Sequence, residues 1–298
     1  MKAIEAKEVY FSYPDGTAAL KGINISIPKG EFAGVLGGNG SGKTTLLRLL
    51  NGLLKPAQGD ILIEGKSIKS IDRDALFTKV CTMFQNPEDQ LFSPTVAQDI
   101  AFGPVNMGLS REEVRKRVSA ALAAVELSDC AQRPIHALSF GQKKRVCLAG
   151  VLAMEPEIIL LDEPTSCLDP AGVSSIMRLL KNLNKQKGIT FVMSTHSVDL
   201  VPVFIDRVIV LDKGIVVQDG APQAVFSDSD KLKSAKLRLP HIGHLFEVLK
   251  NEDGHNIEHL PLTVGEARQE LKSLGVLEFR EFREFKKSNN FGENNGKD

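Results

Sequence analysis

The segment Gly37-Gly38-Asn39-Gly40-Ser41-Gly42-Lys43-Thr44 limits what this chain can fold into more than any other stretch. It fits G-x-x-x-x-G-K-[ST], the pattern of a phosphate-binding loop, at every fixed position. The residues before it, Glu31 to Leu36, read as a short buried strand, and Thr45 to Leu50 read as a helix. The four glycines let the backbone make turns that side chains would block and aim its N–H groups inward. The helix begins just after the loop, so its unpaired amides and positive dipole end face the same anion. In this pattern the backbone from Gly37 to Thr45 wraps the phosphates, Lys43 reaches the β- and γ-phosphates, and the Thr44 hydroxyl binds Mg²⁺. A glycine turn that matches by chance is the competing reading. A dinucleotide fingerprint is excluded, because the third glycine of G-x-G-x-x-G falls on Lys43.

Strand and helix signals alternate on both sides of the loop. Residues 3–9 and 20–27 read as strands, separated by the strong turn chemistry of Pro14-Asp15-Gly16. Tyr13 stands at the edge of that turn, where it either packs against the core or lies under an adenine ring. Ile61 to Gly65 and Lys79 to Phe84 are further strands. Gln85 follows the second at once, and the carboxyl end of a strand is where ligands bind in open α/β sheets; alone, a solvated amide explains it equally. Residues 95–150 lack strand signals. Ser110-Arg111-Glu112-Glu113 is a capping box, and Val114, Val118, Leu122 and Val125 fall on one helical stripe. A helical subdomain of about residues 88–155 is therefore inserted in the α/β core.

From Glu157 the alternation returns. The apolar run to Leu161 suits a parallel strand covered on both faces, and it ends in Asp162-Glu163. Asp169-Pro170 caps a helix over 170–186. Ile189 to Ser194 is another buried strand, ending in Thr195-His196, and Asp212-Lys213-Gly214 joins the strands of a hairpin. The prediction is an α/β fold with a parallel sheet, in a domain spanning 1–225. An extension over 226–278 holds short helices near His241 and Thr263. Residues 279–298, where Phe279, Phe282 and Phe285 recur among charged side chains, read as a disordered tail.

Charge and cysteine usage narrow the function classes. Lys plus Arg and Asp plus Glu both number 37, so no net charge steers the chain to nucleic acid. The four cysteines show neither C-x-x-C pairing nor metal-ligand spacing, as suits a reducing cytosol. No apolar run approaches the roughly 20 residues of a membrane helix, and Met1 to Glu8 lack a signal-peptide core. The expectation is a soluble chain that works on a membrane through a partner.

Leu138-Ser139-Phe140-Gly141-Gln142, followed by the helix from Lys143 to Leu148, resembles the signature motif of ATP-binding-cassette (ABC) ATPases. In that resemblance Asp162-Glu163 is the Walker B pair, Gln85 the Q-loop, Ser166-Cys167-Leu168-Asp169 the D-loop and His196 the switch histidine. Six motifs in the family's order cover residues 13–196. The resemblance implies a P-loop NTPase fold with an antiparallel β part, a RecA-like parallel-sheet core, the inserted helical subdomain and a small C-terminal extension. It also implies ATP hydrolysis with Mg²⁺, a reaction that needs positioning and charge neutralisation more than covalent chemistry. Asp162 would hold Mg²⁺ through water, Thr44 directly, and Gln85 would complete the metal site. Glu163 would polarise the attacking water and His196 would contact the γ-phosphate. Ser139, Gly141 and Gln142 form a second anion site at a helix N-terminus, which in the family completes the nucleotide site of another subunit. The active unit is then a head-to-tail pair of cassettes, identical or paralogous.

Met83 to Val96, Ala101-Phe102-Gly103-Pro104, Leu237-Arg238-Leu239-Pro240 and Pro261-Leu262-Thr263-Val264 are similar to the CbiO-type cobalt-transport and energy-coupling-factor ATPases. The resemblance implies an importer at the cytoplasmic face of the membrane. Its other parts would be a second ATPase subunit, a transmembrane coupling protein and a small substrate-binding membrane component, with no nucleic acid. Cobalt is the expected solute, and nickel or a vitamin is the alternative. Glu88 and Asp89 either meet basic residues of coupling helices or stay solvated. A soluble cassette mechanoenzyme acting on DNA or the ribosome is the rival. DNA-repair relatives would place long heptad coiled coils between phosphate loop and signature, yet only 95 residues (43–137) lie there, without sustained heptads. Translation-type relatives carry two cassettes, and this chain has one. Phe140 replaces the usual first glycine of the signature pair, Cys167 a smaller residue and Ser197 the usual aspartate. None removes a catalytic group, so hydrolysis is expected.

Overall fold

The computed structural model describes residues 1–275. The chain opens with β1 (Lys2–Ser12) and β2 (Ala18–Pro28), then enters β3 (Phe32–Leu36), the phosphate loop and α1 (Lys43–Leu50). It continues through β4 (Gln58–Ile63), β5 (Lys66–Ser67), α2 (Arg73–Lys79) and β6 (Val80–Met83). Three helices follow: α3 (Val96–Asn106), α4 (Arg111–Ala124) and α5 (Phe140–Ala153). The α/β pattern resumes with β7 (Ile158–Asp162), α6 (Pro170–Lys187), β8 (Thr190–Ser194), α7 (Val201–Phe204), β9 (Arg207–Asp212) and β10 (Ile215–Gly220). Two short helices, α8 (Pro222–Phe226) and α9 (Ser229–Ser234), complete a compact unit that runs to Pro240, past residue 225. A separate unit begins at His241 with α10 (His241–Asn251) and α11 (Val264–Ser273).

The strands form two sheets. The antiparallel sheet has the order β2-β1-β4-β5, and the larger one the order β10-β9-β3-β8-β7-β6. In the larger sheet β3, β6, β7, β8 and β9 are parallel, and only β10 runs against its neighbour. Every residue of β3, β7 and β8 is buried, which explains why these strands read as unbroken apolar runs. β1 and β4 mix exposed and buried residues instead. Their inward residues Ile4, Val9, Ile61 and Ile63 join Leu46 and Leu50 of α1 and Val35, Leu160 and Val192 of the parallel sheet in one core. Each such side chain contributes roughly 1.5–3 kcal/mol by leaving water. This core holds α1, and with it the loop, against the carboxyl ends of the strands.

Local capping sets the helix boundaries. Ser110 accepts from Glu113 N–H, and Val114, Val118, Leu122 and Val125 are buried, but the Glu113 carboxylate turns to Arg117 instead of closing the box. Asp169 Oδ1 accepts from Gly172 N–H at 2.7 Å, with Pro170 at the first helical position. α2, α8 and α9 are absent from the sequence reading: at five to seven residues they show no full hydrophobic period. The second unit buries Phe246, Ile257 and Ala267 against Ile242, Leu249 and Leu271, and Thr263 with Glu266 closes a capping box on α11. The expectation for 279–298, including Phe279, Phe282 and Phe285, lies outside the described residues.

Candidate functional site

The phosphate loop connects β3, the strand between β9 and β8, to α1. Two of its glycines are required by the geometry. Gly37 has φ 155°, and a Cβ there would stand 2.4 Å from the Leu211 carbonyl oxygen and from Ser41 Oγ. Gly42, the residue before the helix, has φ 106°, and its Cβ would meet Leu20 Cδ2 at 2.7 Å and Ala19 O at 2.9 Å. Gly40, by contrast, has open space where its side chain would be. Lys43 is 7% exposed, and its Nζ donates to Gly37 O at 2.9 Å and Gly38 O at 3.1 Å. Burial lowers its pKa below the ordinary lysine value, opposed by the nearby Glu163 and Asp162 carboxylates. The ammonium is thus held at the loop by backbone oxygens, ready for an anion. Tyr13 is half-buried, and its hydroxyl lies 2.9 Å from Thr45 Oγ1 at the first turn of α1, with the ring edge-on to Phe11.

The neighbouring strands deliver the acidic residues. Ser194, the last residue of β8, donates from Oγ to Asp162 Oδ1 at 2.5 Å. The same serine accepts from Glu163 N–H through its carbonyl (3.2 Å) and Oγ (3.0 Å). Glu163 leaves β7 at φ 45°, a left-handed conformation that turns its side chain off the strand end. Its Oε2 lies 2.7 Å from His196 Nδ1, with the carboxylate largely shielded and the imidazole 65% exposed. Asp162, Glu163 and His196 therefore form one cluster, and the charges of both carboxylates reach Lys43. Gln85 is exposed two residues beyond β6.

Ser139 and Gln142 are engaged with each other, with Gly141 between them in the first turn of α5. Ser139 Oγ accepts from Gln142 N–H at 3.2 Å while Gln142 Oε1 accepts from Ser139 N–H at 3.0 Å, a closed capping box at the start of α5. These side chains cap their own helix and do not reach the phosphate loop. Glu88 is paired within the chain, its Oε1 lying 2.5 Å from Lys143 Nζ. Burial pushes the Cys81 and Cys147 thiols up to about 12, so both act as small apolar groups.

Three residues beside the site escape the sequence reading. Gln90 accepts from Phe84 N–H and donates to Cys147 O, both at 3.1 Å, tying the segment after β6 to α5. Ser194 holds both acidic residues. Lys144 is fully buried, and its Nζ donates to Glu163 O and Ser166 Oγ, each at 3.0 Å. A signal for Lys144 exists: it shares a helical stripe with Cys147, Leu148 and Val151. The run Lys143-Lys144-Arg145 hides it by reading as a solvated basic face.

A nucleotide and Mg²⁺ can be tested against these residues. Ser41 Oγ is buried without a partner, and Gly40 leaves the loop open. No group of three His, Cys, Asp or Glu side chains able to hold a metal occurs among the described residues. Mg²⁺ binds through one or two carboxylates together with substrate phosphates, and Asp162 at the end of β7 with Thr44 at the start of α1 are residues of that kind. The residues present fit both.

A phosphate loop on the central strand, an acidic pair ending the next strand but one and a histidine between them define an ATP-binding, ATP-hydrolysing cassette. Comparisons with known proteins agree. A family model described as ABC transporter matches residues 20–166. The energy-coupling factor transporter ATP-binding protein EcfA of Methanocaldococcus jannaschii is 51% identical over 273 residues, covering 91% of this chain and 97% of that protein. Among solved structures, cbiO1 of Clostridium perfringens, part of the ABC transporter complex cbiONQ, superposes with TM-score 0.71 at 47% identity, covering 83% and 99% of the two chains. A dimeric ATP-binding cassette in a post-hydrolysis state with ADP and Pi gives TM-score 0.67 at 33% identity, over 74% and 98%. The chain belongs to the ABC transporter ATPases.

Proposed function

We propose that this chain is the ATP-hydrolysing subunit of an energy-coupling-factor importer, attached to the cytoplasmic face of the membrane, and that the imported solute is cobalt. The observation that carries the transport reading is an apolar groove of about 280 Å³ beside the Gln85 segment, lined by Leu53, Phe77, Phe84, Phe92, Phe102 and Met154. Phe92 and Phe102 stack edge-on at 4.7 Å, yet are 64% and 51% exposed. Two exposed aromatics on one surface mark a place for a partner. Among the described residues no helix is long and apolar enough to cross a membrane, so that partner supplies the spanning helices. Cobalt rests on the similarity of residues 83–104 to CbiO-type subunits, with nickel and a vitamin as alternatives.

The chemistry follows from the cluster. Thr44, Asp162 and Gln85 would hold Mg²⁺, which when bound neutralises charge developing on the phosphates. Lys43 exchanges its two backbone carbonyls for phosphate oxygens. Glu163 takes a proton from the attacking water, a contribution of about 10²–10⁴ in rate for a positioned base. His196 holds the Glu163 carboxylate at 2.7 Å and is exposed enough to meet the γ-phosphate. Tyr13, beside Thr45, would lie under the adenine ring. The segment Ser139 to Gln142 at the start of α5 is the candidate contact for the nucleotide of a second ATPase subunit, identical or paralogous.

Capture of the tagged protein from detergent-solubilised native membranes, followed by mass spectrometry, tests the reading. A multi-spanning coupling protein and a small membrane component should be recovered. Recovery of only ribosomal or DNA-associated proteins would sink it. Uptake of cobalt, nickel or labelled vitamins into vesicles holding the captured complex identifies the solute. Glu163→Gln should bind ATP and lose at least about 10²-fold in turnover.

A further inference from the structure

Lys144 is the most deeply buried cation of the described chain: it is 0% exposed, and its ammonium meets no carboxylate oxygen. Its partners are the Glu163 carbonyl, the Ser166 hydroxyl and, 5.6 Å away, the ring of Phe140. A cation kept out of water needs a structural return for the loss of hydration, and a ring face with two polar oxygens supplies one. Burial lowers its pKa, in keeping with that setting.

What the ammonium holds is the backbone of Glu163. The Glu163 carbonyl accepts from Ser166 N–H at 3.2 Å, Ser166 Oγ at 2.9 Å and Lys144 Nζ at 3.0 Å, while its N–H is held by Ser194. This residue sits at φ 45°, where a side chain is retained only if its surroundings over-determine it. Of the donors to that carbonyl, Lys144 alone comes from the helical subdomain. It stands one turn along α5 from Phe140, in the signature segment. Phe140 occupies a position where the family resemblance expects glycine, and the ring it adds lies against the ammonium. A displacement of the signature segment therefore moves the group that fixes the Glu163 peptide.

We propose that Lys144 is a positioning residue that couples the signature segment to the Glu163 carboxylate of the same chain, with the Phe140 ring as the contact that transmits the displacement. This rests on Glu163 being the water-activating base.

The test compares Lys144→Met, Lys144→Arg and Phe140→Leu with wild type and Glu163→Gln in the full transporter complex, measuring kcat and KM for ATP and the thermal midpoint. Lys144→Met should lose about 10- to 100-fold in kcat, the cost of a small misplacement of a catalytic group, with KM and midpoint unchanged. Lys144→Arg should recover most of that loss, and Phe140→Leu should lose kcat part-way, since it keeps apolar bulk and removes the ring face. A wild-type kcat in Lys144→Met beside an inactive Glu163→Gln overturns the positioning role and leaves the base assignment intact. A fall in kcat, affinity and midpoint together makes Lys144 structural and also overturns it. If Lys144→Met does not fold, Phe140→Leu decides, and an unchanged kcat there overturns the proposal. Normal hydrolysis by Glu163→Gln would remove the base assignment itself.

Discussion

Lys43 carries its charge into a setting that favours it only when phosphate is present. Its Nζ is satisfied by two carbonyls of its own loop, but burial has removed most of its water. Lys43→Met should leave the nucleotide-free protein folded and raise its stability by about 1 kcal/mol, the trade-off usual at a binding site. It should also abolish tight ATP binding. Thermal denaturation with and without ATP checks both, because wild type gains stability with ligand and the variant does not. The same logic sets a pH dependence. Lys43 and Lys144 both have folded pKa values below the ordinary 10.5, so between those values the unfolded chain binds more protons than the folded one. Their destabilising contribution is full below the folded pKa values and fades as pH rises towards 10.5. Urea denaturation of wild type across the alkaline range, against Lys144→Met, should show a shallower rise for the variant. At this scale the sequence made the contiguous motifs legible, because Gly37 to Thr44 and Asp162-Glu163 each carry chemistry in their own order. Lys144 and Ser194 were not legible, since their roles come from partners 19 and 32 residues away.

Polar side chains link the elements around the site, and Gln90 is one link that can be cut cleanly. Its amide spans from Phe84 N–H, at the end of β6, to the Cys147 carbonyl inside α5. The turn that carries Gln85 is thereby tied to the helix that carries the signature residues. Gln90→Ala removes both bonds and leaves the Phe84 N–H without its partner, which should cost about 1–3 kcal/mol, while the Cys147 carbonyl keeps its bond within the helix. The KM for ATP should be unchanged, since Gln90 touches neither the phosphate loop nor the acidic pair. Urea denaturation beside steady-state ATPase kinetics checks the two halves of this expectation. Elements themselves were legible in proportion to their length. β3, β7 and β8 announce themselves as apolar runs, and α4 and α6 as capped periodic helices. α2 carries a real start signal, Asp72 accepting from Asp74 and Ala75 N–H, but seven residues show no second turn of the stripe to confirm it. Pro222 and Asp228 are equally good starts for α8 and α9 and fail for the same reason.

On the scale of the whole cassette, the acidic cluster and the exposed aromatic pair are built from different elements. The phosphate loop, Glu163 and His196 gather at the strand ends, whereas Phe92 and Phe102 line the groove together with Phe84 and Gln90. Phe92 precedes α3 and Phe102 lies within it, and the two rings stabilise each other at 4.7 Å while their outer faces meet water. Asp99 holds the intervening turn by accepting from Phe92 and Ser93 N–H, so the aromatic pair is presented by a fixed backbone. That preorganisation lowers the entropy lost on docking, and a buried aromatic anchor is worth about 2 kcal/mol or more at an interface. Replacing both with serine should therefore remove the membrane partner from the captured complex and abolish uptake. Neither ring supports the core, and each ends more than half exposed, so the midpoint of unfolding should hold and the isolated subunit should still bind ATP. Co-purification from membranes, with ATP binding by the isolated variant as the control, reads the separation directly. If Phe92→Ser with Phe102→Ser retains the membrane partner at wild-type yield, the groove is not where the cassette is held, and attachment must pass through another surface.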